Sequence, residues 1–372
     1  MSAQPRIAVI GLGNMGSAHA RDLAAYREAQ LCAVADADRQ RAQQVASEYG
    51  VPEYHDAAAL LQNEAPDGVV IATPHPSHRA LAELAFDHLA HVLLEKPVAV
   101  DVGDAIAITA AYEAALVQRP QLRFAAMFQQ RTYGHWKAIR DLVHGGGLGQ
   151  LIRATWIITD WFRTQTYYDS GGWRAKWKTE GGGVTMNQAP HNLDLYQWIV
   201  GRPARLTAVG GFGKYHTIEV EDEITIVAEH ADGALGHLIS STAESPGTNR
   251  LELVGERGKL VFEDDKLTLT ETSQSVFEFI RSSAESFTHV PSAERQVSYQ
   301  HHGEPGHRLV LENFADAIGD PALALIADGR EGIASLEIAN AAIMSAWRHV
   351  PVELPLAPAE YRAFLTELQG SE

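Results

Sequence analysis

"RIAVIGLGNMG", residues 6–16, is the stretch that decides the fold. Its first half, "RIAVI", is a short apolar run between Pro5 and Gly11 and reads as a buried strand. The segment that follows, "SAHARDLAAYREA", has helical character. Glycines between a strand and a helix have a backbone reason. Gly11 permits a tight turn, Gly13 lets the main chain approach a pyrophosphate, and Gly16 lets the helix pack closely on the strand. The helix start then offers unsatisfied N–H groups to phosphates. The next apolar run, "LCAVAD", ends at Asp36, 20 residues past Gly16. A carboxylate there can accept both ribose hydroxyls of an adenosine. It would repel a 2′-phosphate, so the expected cofactor is NAD rather than NADP. Arg39 and Arg41 follow and could offset that repulsion.

The alternation continues outward. "DGVVIAT" (67–73), "HVLLEKP" (91–97) and "LRFAAMF" (122–128) read as strands, with helices over "SHRALAELAFDHL" (77–89) and "VGDAIAITAAYEAAL" (102–116). Alternating βα units imply a parallel, doubly wound sheet, whose ligands sit at the carboxyl ends of strands. Thr73, Pro74, His75 and Lys96 lie at such ends. A lysine beside a nicotinamide site can hydrogen-bond a substrate hydroxyl and stabilise a developing alkoxide. The second half reads differently. "LGQLIRATWIITDWF" (148–162), "EITIVAEHADGALGHLIS" (223–240) and "LELVGERGKLVFEDDKLTLTE" (251–271) are strand-like runs in succession, with a hairpin signal at Asp232-Gly233. Such succession predicts a large, mostly antiparallel sheet. The expected division is residues 1–122 for a Rossmann domain and 123–372 for a substrate-binding and oligomerisation α/β domain.

Composition narrows the partners. Thirty Lys and Arg against 47 Asp and Glu give a net charge of −17, which repels phosphate backbones and argues against nucleic acid. No apolar run is long enough to span a membrane. A single cysteine, Cys32 in an apolar run, and an N-terminus without a signal-peptide pattern fit a reducing, cytoplasmic setting. His301, His302 and His307 in "HHGEPGH" lack a zinc-ligand spacing, so no metal site is expected.

"VIGLGNMGSAH", "EKP" (95–97) and "GGGVTMNQAPHNLD" (181–194), in this order, resemble the Gfo/Idh/MocA family of oxidoreductases (glucose-fructose oxidoreductase, inositol 2-dehydrogenase, rhizopine catabolism). "DGREGIASLEIANAAIMSAW" (328–347) resembles that family's C-terminal helix. The resemblance spans essentially the whole chain. It implies a tightly held nicotinamide cofactor, a sugar, cyclitol or related polyol substrate, and a homodimer or homotetramer. It extends the expected cofactor contacts to Gly11, Gly13, Asn14, Met15, Gly16, Asp36, Thr73, Pro74, His75, His78, Glu95 and Lys96.

The stretch 181–194 carries the second half of the expected site. Pro190 suits the first turn of a helix, so Asn187 reads as its N-cap, and residues 187, 191 and 194 then share one face. The family's catalytic histidine falls on His191, a candidate general base or acid. The position of a common family aspartate is held here by Asn187, which cannot raise the basicity of His191 as a carboxylate would but can still orient the ring or bind a hydroxyl, so the expected catalytic residues are Lys96, His191 and Asn187. Asn187→Asp is therefore expected to fold and stay active. Asp194 either supports His191 or lines the pocket. Just upstream, "WFRTQTYYDSGGWRAKWK" (161–178) concentrates six aromatic residues and carries a net charge of +3. Aromatic faces cover the C–H faces of sugars, and arginine forks suit carboxylate or phosphate. Arg163, Tyr167, Trp173 and Arg174 are thus expected to line the substrate pocket with Lys96, Asn187, His191 and Asp194. An anionic sugar is the corresponding substrate expectation. Two alternatives stay open from sequence: redox-neutral glycoside cleavage through transient NAD-dependent oxidation, and a non-catalytic NAD- or sugar-sensing regulator.

Overall fold

The computed structural model describes residues 4–301, 303 and 305–370. The chain forms two compact units: Met1–Thr132 with His302–Leu336, and Tyr133–His301 with Glu337–Glu372. Sequence predicts a single cut after residue 122; instead the first unit runs on to Thr132 and recovers a later segment. The reason is packing. The helix His307–Gly319 places Val310, Leu311 and Phe314 in one core with Ile7, Val9, Leu12 and Leu23.

The first unit holds a six-stranded parallel sheet. In chain order its strands are β1 (Arg6–Ile10), β2 (Gln30–Ala35), β3 (Glu53–Tyr54), β4 (Gly68–Ile71), β5 (His91–Leu94) and β6 (Phe124–Ala126), arranged β3-β2-β1-β4-β5-β6. β4 and β5 are buried at every residue, as strands covered on both faces must be. Aspartates start the connecting helices. Asp38 accepts the N–H groups of Gln40 and Arg41, and Asp56 those of Ala58 and Ala59. The short β3 carries little apolar pattern and is not evident from sequence.

The second unit is built on a nine-stranded sheet ordered β14-β13-β12-β11-β7-β10-β9-β8-β15. Its strands are β7 (Leu151–Ile158), β8 (Arg205–Phe212), β9 (Glu221–Glu229), β10 (Leu235–Ser241), β11 (Asn249–Gly255), β12 (Gly258–Glu263), β13 (Lys266–Thr272), β14 (Ser292–Gln296) and β15 (Val352–Glu353). Only β7 and β10 pair in parallel; the other pairs are antiparallel. β9 and β12 alternate buried with exposed residues along most of their length, the mark of a sheet covered on one face. The turn from β12 to β13 uses Asp264 and Asp265, both with positive φ, as a tight hairpin requires. Among the described residues no helix is long and apolar enough to cross a membrane.

Candidate active site

The glycine loop behaves as its sequence demands. Gly11 has φ +88°, and a Cβ there would come within 2.8 Å of the Ala72 carbonyl. A Cβ on Gly16 would sit 1.7 Å from the Gly11 oxygen, so only glycine lets the helix Asn14–Ala25 start against the turn. A Cβ on Gly13 would meet nothing within 4 Å; its backbone faces open space, with Asn14 and Met15 exposed beside it. Gly13, Asn14, Ser17 and Arg41 line a cavity of about 540 Å³ in this unit.

Asp36 closes the same loop. Its carboxylate accepts the Leu12 N–H at 2.7 Å and the Asp38 N–H at 2.8 Å, and Arg41 lies 3.3 Å from Oδ2. Arg41 therefore already neutralises part of the charge expected to repel a 2′-phosphate; Arg39 is exposed.

The strand-end loops are braced from inside. His78, fully buried, sets Nε2 2.8 Å from the Thr73 carbonyl and Nδ1 3.0 Å from the Pro97 carbonyl. Burial pushes its pKa below the usual imidazole range, while two carbonyl partners pull toward the doubly protonated ring. Thr73 receives a hydrogen bond from Ser77 at 2.7 Å, whereas Pro74 is exposed and His75 half-buried. The Glu95 side chain is turned inward. Oε1 is 2.7 Å from His19 Nε2, and Oε2 accepts the Lys96 N–H at 3.1 Å. Burial raises the Glu95 pKa, but the His19 hydrogen bond and the neighbouring His19, His307 and Lys96 charges outweigh it and bring it to about 2. This carboxylate is committed within the protein, so a cofactor contact at 95 would fall to the backbone. Lys96, half-buried, follows at the end of β5.

The candidate residues of the second unit are wired through side chains. The helix carrying His191 is Pro190–Ile199, with Pro190 in its first turn. Its N-cap is Ala189; Asn187 instead ends a separate short helix, Val184–Asn187, so it does not cap the His191 helix. Gln188 and Ala189 lie between that short helix and the next. The glycines approach β9: a Cβ on Gly183 would lie 2.0 Å from the Glu221 oxygen. The buried Glu221 carboxylate accepts the N–H groups of Gly183 at 2.9 Å and Thr185 at 3.1 Å, and burial raises its pKa. Tyr196 anchors the next helix on the sheet, its hydroxyl 2.7 Å from His230 Nε2 over Gly236, where a Cβ would clash. His191 is buried, and Asp194 is fully buried and accepts from Gln197 at 3.1 Å.

Tyr167 is the hub. Arg174 Nη1 donates to its hydroxyl at 2.7 Å, and Asn187 Oδ1 and Gln188 Nε2 each lie 3.4 Å from it. The Arg174 guanidinium sits 4.5 Å from both the Tyr167 and Trp173 ring centres; that of Arg163 sits 5.0 Å from Tyr167 and 5.5 Å from Trp161. The structure thus brings Arg163, Tyr167, Trp173, Arg174 and Asn187 into one cluster. The rest of the aromatic segment divides otherwise. Tyr168 and Trp177 are buried, Trp177 packing on Phe212 and Trp347, and Phe162, Lys176 and Lys178 are exposed.

Sequence reasoning missed several supports. Asp222 holds His216 at 3.1 Å, and His216 Nε2 holds the Arg163 carbonyl at 3.0 Å. Glu180, at the head of the glycines, hydrogen-bonds Asn187 Nδ2. Its lone acidic place in "KWKTEGGG" was the available signal. Likewise, His19 falls one helical turn past Gly16. Of the three loop histidines, His301 accepts the Gly134 N–H at 3.0 Å in the second unit, His307 lies by Glu95 in the first, and His302 lies outside the described residues.

Known proteins resemble this chain in sequence and in fold. A family model for an oxidoreductase family with an NAD-binding Rossmann fold matches residues 5–118, and one for the GFO/IDH/MocA C-terminal domain matches 136–261. The chain is 24% identical over 372 residues to scyllo-inositol 2-dehydrogenase (NAD(+)) of Bacillus subtilis, covering 96% of this chain and 99% of that one. It is 30% identical over 227 residues to D-apiose dehydrogenase of Rhizobium rhizogenes, covering 59% and 61%. The structure of the WlbA dehydrogenase of Bordetella pertussis, in complex with NADH and UDP-GlcNAcA, matches with a TM-score of 0.79 at 25% identity, over 95% of this chain and all of that one.

Proposed function

The chain belongs to the Gfo/Idh/MocA family of NAD-binding oxidoreductases, and from that premise we propose that it oxidises a secondary alcohol of a sugar or cyclitol bearing an anionic group. The open backbone at Gly13, the close approach at Gly16 and the Asp36 carboxylate fit NAD. NAD supplies, when bound, the acceptor for a hydride. The protein's residues do the rest. Lys96 hydrogen-bonds the reacting hydroxyl, and its charge stabilises the alkoxide as it develops. His191 takes the hydroxyl proton and returns it in the reverse direction. Arg163 and Arg174 hold the acid group, and Tyr167 and Trp173 cover the sugar's apolar face.

The observation that carries the substrate class is the convergence of two guanidinium groups and two amides on Tyr167. Aromatic rings lie 4.5–5.5 Å from the two cations, Arg163 also donates to the Phe162 carbonyl and Arg174 to the Tyr167 hydroxyl, and the remaining guanidinium donors suit a carboxylate or phosphate. Relatives support the reading: one acts on an inositol, and one binds a UDP-sugar acid with NADH. The test is a panel of inositols, neutral sugars, uronic acids, nucleotide-sugar acids and glycosides, followed for both NADH and released aglycone. Acidic sugars are expected to give NADH with the highest kcat/KM. Faster turnover of neutral sugars would remove the anion-binding role, and aglycone release without net NADH would redirect the reading to redox-neutral cleavage.

A further inference from the structure

Glu180 is 1% exposed and precedes the glycines at 181–183. One carboxylate oxygen accepts from Asn187 Nδ2, and the other accepts the Ala175 N–H at 2.5 Å. A carboxylate can only accept, so the amide at 187 has one orientation: Nδ2 toward Glu180 and Oδ1 toward Tyr167. The Tyr167 oxygen receives Arg174 Nη1 and Gln188 Nε2, which leaves its own hydrogen for Asn187 Oδ1. The bonds therefore run in one direction, guanidinium to phenol to amide to carboxylate. With a cation at one end and an anion at the other, each bond polarises the next in the same sense.

We infer that Glu180 is the positioning residue of the substrate site and carries the negative charge that position 187 lacks. Through Ala175 it holds the residue next to Arg174, and through Asn187 it holds the Tyr167 hydroxyl. A neutral side chain at 187 is then a requirement. Aspartate there, at a half-buried position, would set a second carboxylate against the buried Glu180, which favours a proton held on one of the two. This runs against the expectation that Asn187→Asp stays active: that substitution is damaging unless Glu180 is neutralised with it.

The inference rests on the proposed reaction, so turnover of an acidic sugar by the wild type is measured first. Glu180→Gln, Asn187→Asp and the double variant are then compared by kcat and KM across pH and by thermal melting. Each single variant is expected to raise KM for the acidic sugar about tenfold or more, with kcat much less affected. In Asn187→Asp, KM climbs as pH rises, because loss of the shared proton leaves two facing charges. In the double variant the amide introduced at position 180 can donate to the new carboxylate, so KM returns to within about threefold of wild type and its pH dependence disappears. Equal losses of melting temperature, with no pH trend in KM and no recovery in the double variant, would overturn the inference and leave Glu180 as a structural brace. Should Glu180→Gln not fold alone, the KM–pH profile of Asn187→Asp decides, and a flat profile overturns the idea. Should the wild type oxidise no sugar, the proposed reaction fails while the pairing is still tested: Asn187→Asp must lose melting temperature as pH rises, and an unchanged melting temperature overturns it.

Discussion

The loop at Gly11–Gly16 and the cluster around Tyr167 prepare for ligands by opposite means. The first is a matter of backbone. Gly11 takes a left-handed φ, Gly16 excludes every side chain, and Asp36 ties the loop by main-chain N–H groups. The second is a matter of side chains from scattered positions. Arg174, Tyr167, Gln188, Asn187 and Glu180 are joined by hydrogen bonds, and Arg163 is held through His216 and Asp222. A backbone device is local and leaves a spaced signature. A side-chain device is assembled from separate positions, and only its aromatic and arginine-rich part, residues 161–178, is marked in the sequence.

That contrast can be broken at its strongest point first. Gly16→Val places a side chain inside the Gly11 carbonyl and is expected to abolish NADH binding, measured by fluorescence titration. Retained binding would show that the loop has slack its geometry denies. The next largest effect lies in the chemistry. Lys96→Ala and His191→Ala are each expected to lower kcat roughly 10²–10⁴-fold while cofactor affinity is kept. Near-wild-type turnover in either would remove that residue's role.

The side-chain region should respond more gently and more selectively. Arg174→Ala is expected to cut kcat/KM for acidic sugars roughly 10–100-fold, the range of a charged hydrogen bond, and to spare neutral ones. Equal loss on both would make Arg174 a packing residue. Asp36→Ala tests the boundary between the two devices. It removes a loop tie and one of the two carboxylates beside Arg41, leaving only Asp38, so the NADPH-to-NADH affinity ratio should rise about tenfold in binding titrations. An unchanged ratio would mean that Arg41 does not face the 2′ position.

The smallest effect concerns acid stability. The Glu95 pKa is depressed from 4.5 to about 2 in the folded protein. Its contribution is present above the unfolded value and lost as pH falls from 4.5 toward 2. His19→Gln should therefore lower the melting temperature by on the order of a few degrees at neutral pH, and by less as the pH falls through that window. A deficit constant across pH would detach His19 from the Glu95 charge.

Legibility followed the same divide. The strands from β1 to β6 other than β3, the glycine loop and the succession of strands in the second unit could all be read, because apolar period and glycine spacing are local properties. β3 was lost because two residues carry no period. The helix after the glycines was read correctly at Pro190, but Asn187 was misread as its cap. The break between the two helices falls at Gln188 and Ala189, which composition does not mark. Glu180, His19 and His216 escaped because a buried polar residue is recognisable only by the partner that compensates its burial, and those partners lie elsewhere in the chain.

The return of residues 302–336 to the first unit also sets an order of events in time. On the ribosome the fingerprint strand and its helix emerge well before Val310, Leu311 and Phe314, which complete their core and follow nearly the whole nine-stranded sheet. At ordinary synthesis rates of about 5–20 residues per second, that gap lasts roughly 10–60 s. Throughout it, the half-covered face around Ile7, Leu12 and Leu23 is open to chaperones or to a neighbouring nascent chain. The core under the fingerprint is therefore closed only after most of the second unit has been made.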